Sequence, residues 1–376
     1  MIRLGILGGG QLAQMMTQAA VSLGVETAIF ERRADSPAAR LTKHDVAGDW
    51  TSPQALADFI ALCDVVTLEN EFVDASVLER IAEAGLPVYP TAETLRRIQD
   101  KFIQKQTMDA ADVPLPAFAA VDDLDAVRAF AAVHGWPLVL KARRDGYDGY
   151  GNATLRTADD LPAAWERLSA GDRALMVEAF VPFSHELAVM VLRGRDGETR
   201  LYPVVETVQK DHICHVVRAP ASISPTMKQA AERIAAQAVT AVDGVGVFGV
   251  EMFALDDGRV LYNEIAPRPH NSGHYTIEAC RTSQFENHIR AVLGWPLGAT
   301  DMTAPYAVMV NVLGRFTGHA PAFAARDALR VPNAHVHIYS KRDVRVGRKM
   351  GHVTVTGESM EEAETAARQA ADLIGL

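Results

Sequence analysis

The chain has 376 residues, 48% hydrophobic, 22% charged and 7% aromatic, a globular balance that excludes disordered, collagen-like and low-complexity architectures. Lysine plus arginine number 37 against 47 aspartates plus glutamates, so the formal charge is −10, which argues against nucleic-acid and anionic-membrane binding but leaves room for local basic patches. Three cysteines (Cys63, Cys214 and Cys280), without a Cys-x-x-Cys pair, exclude a disulfide framework and predict a reducing, cytoplasmic setting. The length predicts two or three domains, and the sequence holds no 18-residue apolar run.

Residues 2–7 form a strand pattern, Gly8-Gly9-Gly10 breaks it, and the apolar spacing of 11–23 predicts a helix before a strand over 25–30. Helices over 53–63 and 75–84, a strand over 64–68 and the run Pro87-Val88-Tyr89 continue the alternation, which predicts a parallel sheet covered on both faces. Beyond Thr91 the pattern becomes α+β. A helix over 93–111 leads to the stiff connector Val113-Pro114-Leu115-Pro116, then to a helix over 124–134, a strand over 137–141 and a glycine loop over 143–151. A helix over 159–168, mainly β sequence from 174 to 218, an alanine-rich helix over 225–242 and a hairpin over 247–265 follow. Residues 297–303 look like a linker, and strands then close on a helix over 358–374.

Gly8-Gly9-Gly10 between a strand and a helix exposes backbone N–H groups to an anion. Glu31, about twenty residues on, suits a dinucleotide fingerprint, although Ala13 stands at its third glycine. A phosphate or ribotide seat, a nicotinamide-dinucleotide seat and a tight structural turn are all open readings, and Gln11 is either a ligand contact or solvated.

In the hairpin, taking Asp257-Gly258 as a two-residue turn pairs Asp256 with Arg259 and sets Glu251 opposite Glu264. The expected neighbours on that face are Phe253, Leu255, Val260 and Tyr262, so two facing carboxylates there need a proton or a cation between them. With the Asn263 amide they are hard oxygen ligands of the kind Mg²⁺ takes when it carries nucleotide phosphates; two solvated glutamates on an outer face are the plain alternative. Directly after Glu264, two prolines exclude a helical His270/His274 metal pair. Arg268, His270, Asn271, Ser272 and His274 gather donors for a phosphate or sugar, or else satisfy their own backbone. Lys141 feeds a glycine loop of the kind that closes over phosphates. Lys341, Arg345, Arg348, Lys349 and His352 make a second basic cluster, usually a solvated face. Neither a Walker Gly-Lys-Ser/Thr nor a Gly-x-Ser-x-Gly elbow is present.

In order, these pieces resemble an ATP-grasp enzyme, and more closely the 5-(carboxyamino)imidazole ribonucleotide synthetase family of purine biosynthesis. The resemblance rests on Gly8-Gly9-Gly10-Gln11-Leu12, Ser36-Pro37-Ala38-Ala39, Gln104-Lys105-Gln106, Gly146-Tyr147-Asp148-Gly149, Asn263-Glu264-Ile265-Ala266-Pro267-Arg268, His270-Asn271-Ser272-Gly273-His274, Ser283-Gln284-Phe285-Glu286 and Gly347-Arg348-Lys349-Met350-Gly351-His352. It implies an α/β and α+β architecture: a Rossmann-like, biotin-carboxylase-N-like domain over 1–98, an ATP-grasp domain over 99–296 with a mobile lid at about 115–183, and a small C-terminal domain over 297–376. It implies a homodimer that uses ATP, Mg²⁺ (or Mn²⁺) and bicarbonate to carboxylate the amine of 5-aminoimidazole ribonucleotide.

By matching position, Lys101 and Lys141 would hold ATP phosphates, covered by Gly146, Tyr147, Asp148, Gly149 and Gly151. Glu178, Ala179, Phe180 and Val181 would meet the adenine and Glu186 the ribose, with Gln209 and Asn263 also at the nucleotide. Glu251 and Glu264 would ligate the metal. Gly10, Gln11, Leu12, Glu71, Arg268, His270, Asn271 and Ser272 would hold the ribotide, Lys341 and Arg348 its phosphate or the bicarbonate, and Asp148, Arg268 and Lys341 would serve catalysis.

Four segments depart from the family pattern: Asp145 and Tyr150 in the lid, Thr207 and Gln209 in place of an asparagine and a histidine, Asn70 between Glu69 and Glu71, and Ser340 before Lys341. A sister ligase activating formate, a nicotinamide-dependent oxidoreductase and a non-catalytic nucleotide sensor are the rival readings.

Overall fold

The computed structural model describes residues 1–144, 146, 151–169, 173–210 and 212–376. At the start, β1 (Arg3–Leu7), α1 (Gln11–Ser22), β2 (Glu26–Glu31), β3 (Asp45–Ala47), α2 (Pro53–Ile60), β4 (Val65–Leu68) and α3 (Ala75–Glu83) alternate. Their strands pair in parallel in the order β3-β2-β1-β4. Leu4 and Ile6 pack under Leu12, Met15 and Met16 of α1, while Leu7 packs with Phe59, Leu78 and Ile81, so helices cover both faces. Pro87-Val88-Tyr89, expected as a strand, contributes an isolated bridge between Val88 and Val66.

The single helix expected over 93–111 is two: α4 (Ala92–Gln99) and α5 (Lys101–Asp109). Asp100 between them is extended (φ −99°, ψ 113°), and its carboxylate accepts the N–H groups of Phe102 and Ile103 at 3.0 and 3.3 Å. An N-cap restarts the helix there and sets Lys101 on its first turn.

Next, β5 (Phe118–Val121), α6 (Leu124–His134), β6 (Leu138–Ala142), β7 (Asn152–Leu155), α7 (Leu161–Ser169) and β8 (Leu175–Ala179) form an antiparallel sheet ordered β5-β8-β6-β7. It has its own core around Val127, Leu138, Leu140, Leu161 and Val177.

The body follows as β9 (His185–Arg193), β10 (Thr199–Leu201), β11 (Val205–Lys210), β12 (Ile213–Ala219), α8 (Pro225–Ala241), β13 (Gly246–Ala254), β14 (Val260–Ala266), α9 (Thr276–Ala279) and α10 (Gln284–Leu293). The chain ends in β15 (Tyr306–Leu313), β16 (Gly318–His319), β17 (Ala334–Ile338), β18 (Asp343–Val344), β19 (Lys349–Gly357) and α11 (Met360–Asp372). Among the described residues one sheet of nine strands runs β14-β13-β9-β11-β12-β15-β19-β17, with β10 beside β9. It therefore passes without a break through the 296/297 boundary, at the β12–β15 pair. Alanines of α8 pack on one face of β9, β13 and β14, and α10 on the other, where Phe285, Ile289 and Val292 also reach the core of the N-terminal sheet. No helix among the described residues is long and apolar enough to cross a membrane.

The β13–β14 hairpin departs from the two-residue turn. Leu255 and Arg259 close a three-residue loop, Asp256-Asp257-Gly258, with Gly258 at φ +89° donating to the Leu255 carbonyl at 3.0 Å. The loop shifts the outer register by one, pairing Ala254 with Val260 and Met252 with Tyr262. A bulge at Asn263 then absorbs one residue, so Glu251 does face Glu264. Val260 and Tyr262, expected beside the acids, instead enter the core under α8. Phe253 remains on the acids' side.

Candidate active site

A cleft of about 1070 Å³ opens where the 118–179 unit, the edge of the large sheet and the start of α1 meet. At one end Lys101 ion-pairs with Glu264, and Lys141, at the end of β6, lies 2.8 Å from Glu178 Oε2. Glu178 has a second cation, Lys105, 3.3 Å from its Oε1. Burial raises the Glu178 carboxyl, but Lys105 and Lys141 outweigh it and hold it at about 2. Burial also draws the Lys105 ammonium down to about 8, despite Glu178 and a Tyr262 ring 5.3 Å away.

Ala179, Phe180 and Val181 continue from β8 along the cleft, and Phe183 stacks on Phe253 with ring centroids 4.7 Å apart. Glu186, bonded by Gln209, is pushed up by burial to about 7. Gly146 and Gly151 border the opening. Tyr147, Asp148 and Gly149, with the departures Asp145 and Tyr150, lie outside the described residues.

Mid-cleft, burial and the facing Glu264 push the Glu251 carboxyl upward, whereas Lys101 pulls Glu264 downward. The Oδ1 atom of Asn263 is buried without a hydrogen-bond partner. Two facing carboxyls, one pushed up and the other held down, with an orphaned amide oxygen form a donor set that fits a hard divalent cation, whose charge would take the place of the proton that the raised acid favours. No cluster of three or more His, Cys, Asp or Glu among the described residues is arranged for a metal, so phosphate oxygens would have to complete such a shell.

The far end is built by the chain leaving β14. Arg268 grips Glu71 with two bonds of 2.5 and 3.0 Å. Burial raises Glu71, and the Arg268 charge outweighs it. Gln284 orders the next residues: its Oε1 accepts the His270 N–H at 2.9 Å, and its Nε2 donates to the His270 carbonyl at 2.8 Å and meets His274 Nδ1 at 3.0 Å. A backbone N–H can only donate, which fixes the amide's orientation, so His274 Nδ1 accepts and its proton sits on Nε2. His270 Nδ1 lies 2.8 Å from Ser272 Oγ; burial and Arg268 lower this imidazole to about 4, so it is neutral beside Glu251, 3.6 Å away. Gly249 makes room for that ring, which a Cβ would strike. Asn271 and Ser272 line the same end, and Gln11 and Leu12 face it from α1.

The structure bears on all three readings open for the glycine loop through the partners of its N–H groups. Glu31 accepts the Gly9 N–H at 3.0 Å, and Glu69 accepts those of Gly10 and Ala13 at 2.7 and 3.1 Å. The chain's own carboxylates take these three N–H groups, which favours the tight structural turn among the three readings, while Gln11 and Leu12 of the same turn face the cleft. Gly10 and Arg348 are not in the cleft lining. Arg348 donates to the Asp343 carbonyl at 2.8 Å. Lys341 donates to the Lys349 carbonyl at 2.7 Å and lines a separate cavity of about 650 Å³ with Arg40 and Arg342. The cleft cation from that cluster is Lys349, which the sequence placed in a basic group but not at the site. His274, read from the sequence as one of the donors of the loop after Glu264, lines the cleft; Glu69 and Lys105 were missed as site neighbours, and the Gln104-Lys105-Gln106 match was the one signal for Lys105.

An antiparallel lid-like unit and a large sheet enclosing lysines and paired acids define an ATP-grasp protein. Residues 106–285 match the ATP-grasp domain, residues 1–99 the ribonucleotide synthetase preATP-grasp domain and residues 307–366 the phosphoribosylaminoimidazole carboxylase C-terminal domain. The chain belongs to the N5-carboxyaminoimidazole ribonucleotide synthase family. It is 41% identical over 374 residues to the Mycobacterium bovis N5-carboxyaminoimidazole ribonucleotide synthase, covering 97% of this chain and 86% of that one. It is 43% identical to the Schizosaccharomyces pombe phosphoribosylaminoimidazole carboxylase, covering 96% of this chain but 66% of that relative, so it spans about two thirds of the longer protein. Aspergillus clavatus carboxyaminoimidazole ribonucleotide synthase, solved with ATP, superposes with TM-score 0.91 at 40% identity, covering 99% of this chain and 98% of that one. The same enzyme solved with ADP and 5-aminoimidazole ribonucleotide gives TM-score 0.91 at 39% identity over the same shares.

Proposed function

We propose that this chain uses ATP to activate bicarbonate and transfers the carboxyl group to the exocyclic amine of 5-aminoimidazole ribonucleotide, giving 5-(carboxyamino)imidazole ribonucleotide for purine biosynthesis. The observation that carries this reading is the register pair Glu251–Glu264, set between the Lys101/Lys141 pocket and the Arg268–Ser272 loop. Bicarbonate is a poor electrophile because hydroxide is a poor leaving group. A bicarbonate oxygen attacks the γ-phosphorus, ADP leaves, and the carboxyphosphate formed can lose phosphate when the amine nitrogen attacks its carbon and sheds a proton.

Lys101 and Lys141 hold the triphosphate and spread its charge. Glu251, Glu264 and the Asn263 oxygen would hold Mg²⁺ or Mn²⁺, which when bound supplies charge neutralisation to the transferring phosphoryl group. Arg268, kept charged and aimed by Glu71, meets the carboxyl or ribotide anion, while neutral His270 with Asn271 and Ser272 donates to the sugar. The deciding measurement is ADP release with bicarbonate, with formate and with no carboxyl donor, each with and without 5-aminoimidazole ribonucleotide. Release that requires bicarbonate and yields the carbamate is expected. Turnover supported by formate instead would transfer the assignment to a formate-activating ligase.

A further inference from the structure

Three side chains outside the cleft lie in a straight row across the large sheet. Asn311 on β15 pairs in register with His352 on β19, which pairs with His337 on β17. Register partners share a face, so the row advances by about 4.8 Å per strand. Over it runs a 3-10 turn, Asn271–Gly273, followed by α9. Residues 271, 274 and 278 are three and four apart, on one helical face, at about 4.5–6 Å per step.

The two spacings match, and each residue meets one member of the row. The Asn271 and Asn311 amides bond reciprocally at 2.9 and 2.7 Å. The His274 and His352 rings lie 4.9 Å apart, and Glu278 Oε1 lies 2.6 Å from His337 Nε2. His337 in turn stacks on His352 at 4.4 Å.

The row also carries orientation. Asn311 Nδ2 donates at 2.9 Å to the Cys214 carbonyl, which can only accept. That fixes the Asn311 amide, and the reciprocal pair then fixes Asn271, leaving its second N–H and second lone pair for a ligand.

We infer that Asn311, His352 and His337 are positioning residues that set the ribotide-binding loop, which makes the last part of the chain a template for substrate rather than a cap on the fold. This rests on the proposed function, because it assigns the loop to the ribotide. None of the three borders the cleft, so their effect on substrate passes through Asn271, His274 and Glu278.

The test compares wild type with Asn311→Asp, His337→Ala and His337→Gln, measuring 5-aminoimidazole ribonucleotide binding by titration and the KM values for ribotide and ATP separately. Asn311→Asp keeps the size but loses the donor to Cys214, and about a tenfold weaker ribotide affinity is expected, with the ATP KM within about twofold. His337→Ala should also weaken the ribotide, and His337→Gln, which keeps a donor toward Glu278, should restore it. Should Asn311→Asp fail to fold, the His337 pair carries the same comparison. Unchanged ribotide affinity in folded variants, or equal rises in both KM values, overturns the inference while leaving the proposed function standing. Failure of the wild-type chain to bind the ribotide overturns the proposed function and this inference with it.

Discussion

Glu69 accepts the backbone N–H of Gly10 at 2.7 Å, and its other oxygen takes that of Ala13 at 3.1 Å, so a carboxylate of the chain occupies the positive end of α1. Burial raises the Glu69 carboxyl, against the pull of these N–H groups. Glu69→Ala leaves two inward donors unpaired and should lose about 1–3 kcal/mol in urea unfolding. Millimolar inorganic phosphate should recover part of that loss and stabilise the variant more than it does wild type, whose cleft lysines are common to both. Equal effects of phosphate on both proteins would contradict the filled seat.

Glu264 serves two partners at once, the Lys101 ammonium and the facing Glu251. Glu264→Gln keeps the shape but removes the charge that holds both a lysine and a cation in place. ADP release should fall by at least about a hundredfold. Ribotide binding, built on Arg268 and the loop after it, should stay measurable by titration. Full ATP turnover in this variant would remove the metal assignment.

The sequence showed the parallel opening and the paired acids because both follow from short-range periodicity. The hairpin was legible for an incomplete reason: a three-residue loop and a bulge at Asn263 cancel, and bulges leave no period-2 trace. The Asp100 break in the helix was readable in principle, since an aspartate can cap as well as continue. What could not be read is long-range. Glu69 reaches Gly10 from 59 positions away, and Asn311 reaches Asn271 across 40. Lys349 and Lys341 sit in one basic cluster, and only the fold sends one to the cleft and the other to a different cavity.

His288 joins three parts of the molecule as a neutral ring. Its Nδ1 accepts the Val247 N–H at 3.0 Å, so its Nε2 proton is directed to Thr67 Oγ1 at 2.8 Å on β4. Burial lowers it to about 3. The folded value lies below the ordinary value near 6.5, so the unfolded chain binds the extra proton first as pH falls. The stabilisation is whole above pH 6.5 and fades at about 1.4 kcal/mol per pH unit toward the folded value. Between pH 7.5 and 5.0, wild type should lose about 2 kcal/mol more than His288→Gln in urea unfolding. Parallel pH curves for the two proteins would count against a neutral buried ring.

Lys105 lies beneath the nucleotide end, 2% exposed, and shares Glu178 with Lys141. While Lys105 is charged, Glu178 is balanced from below and Lys141 is available to phosphate. Its ammonium sits near pH 8, with Lys101 and Lys141 adding to the burial that lowers it and Glu178 opposing. Once it deprotonates, Lys141 is the cation left to balance Glu178 among the described residues, 2.8 Å away, and Glu178 competes with the triphosphate for it. ATP affinity should therefore decline as pH rises past 8 in wild type, and Lys105→Met should raise the ATP KM about tenfold or more even at neutral pH. Lys105→Arg, whose charge persists, should bind ATP without that alkaline decline, with the ribotide KM unchanged in both variants. An alkaline limb that survives in Lys105→Arg would show that another group in the cleft sets it.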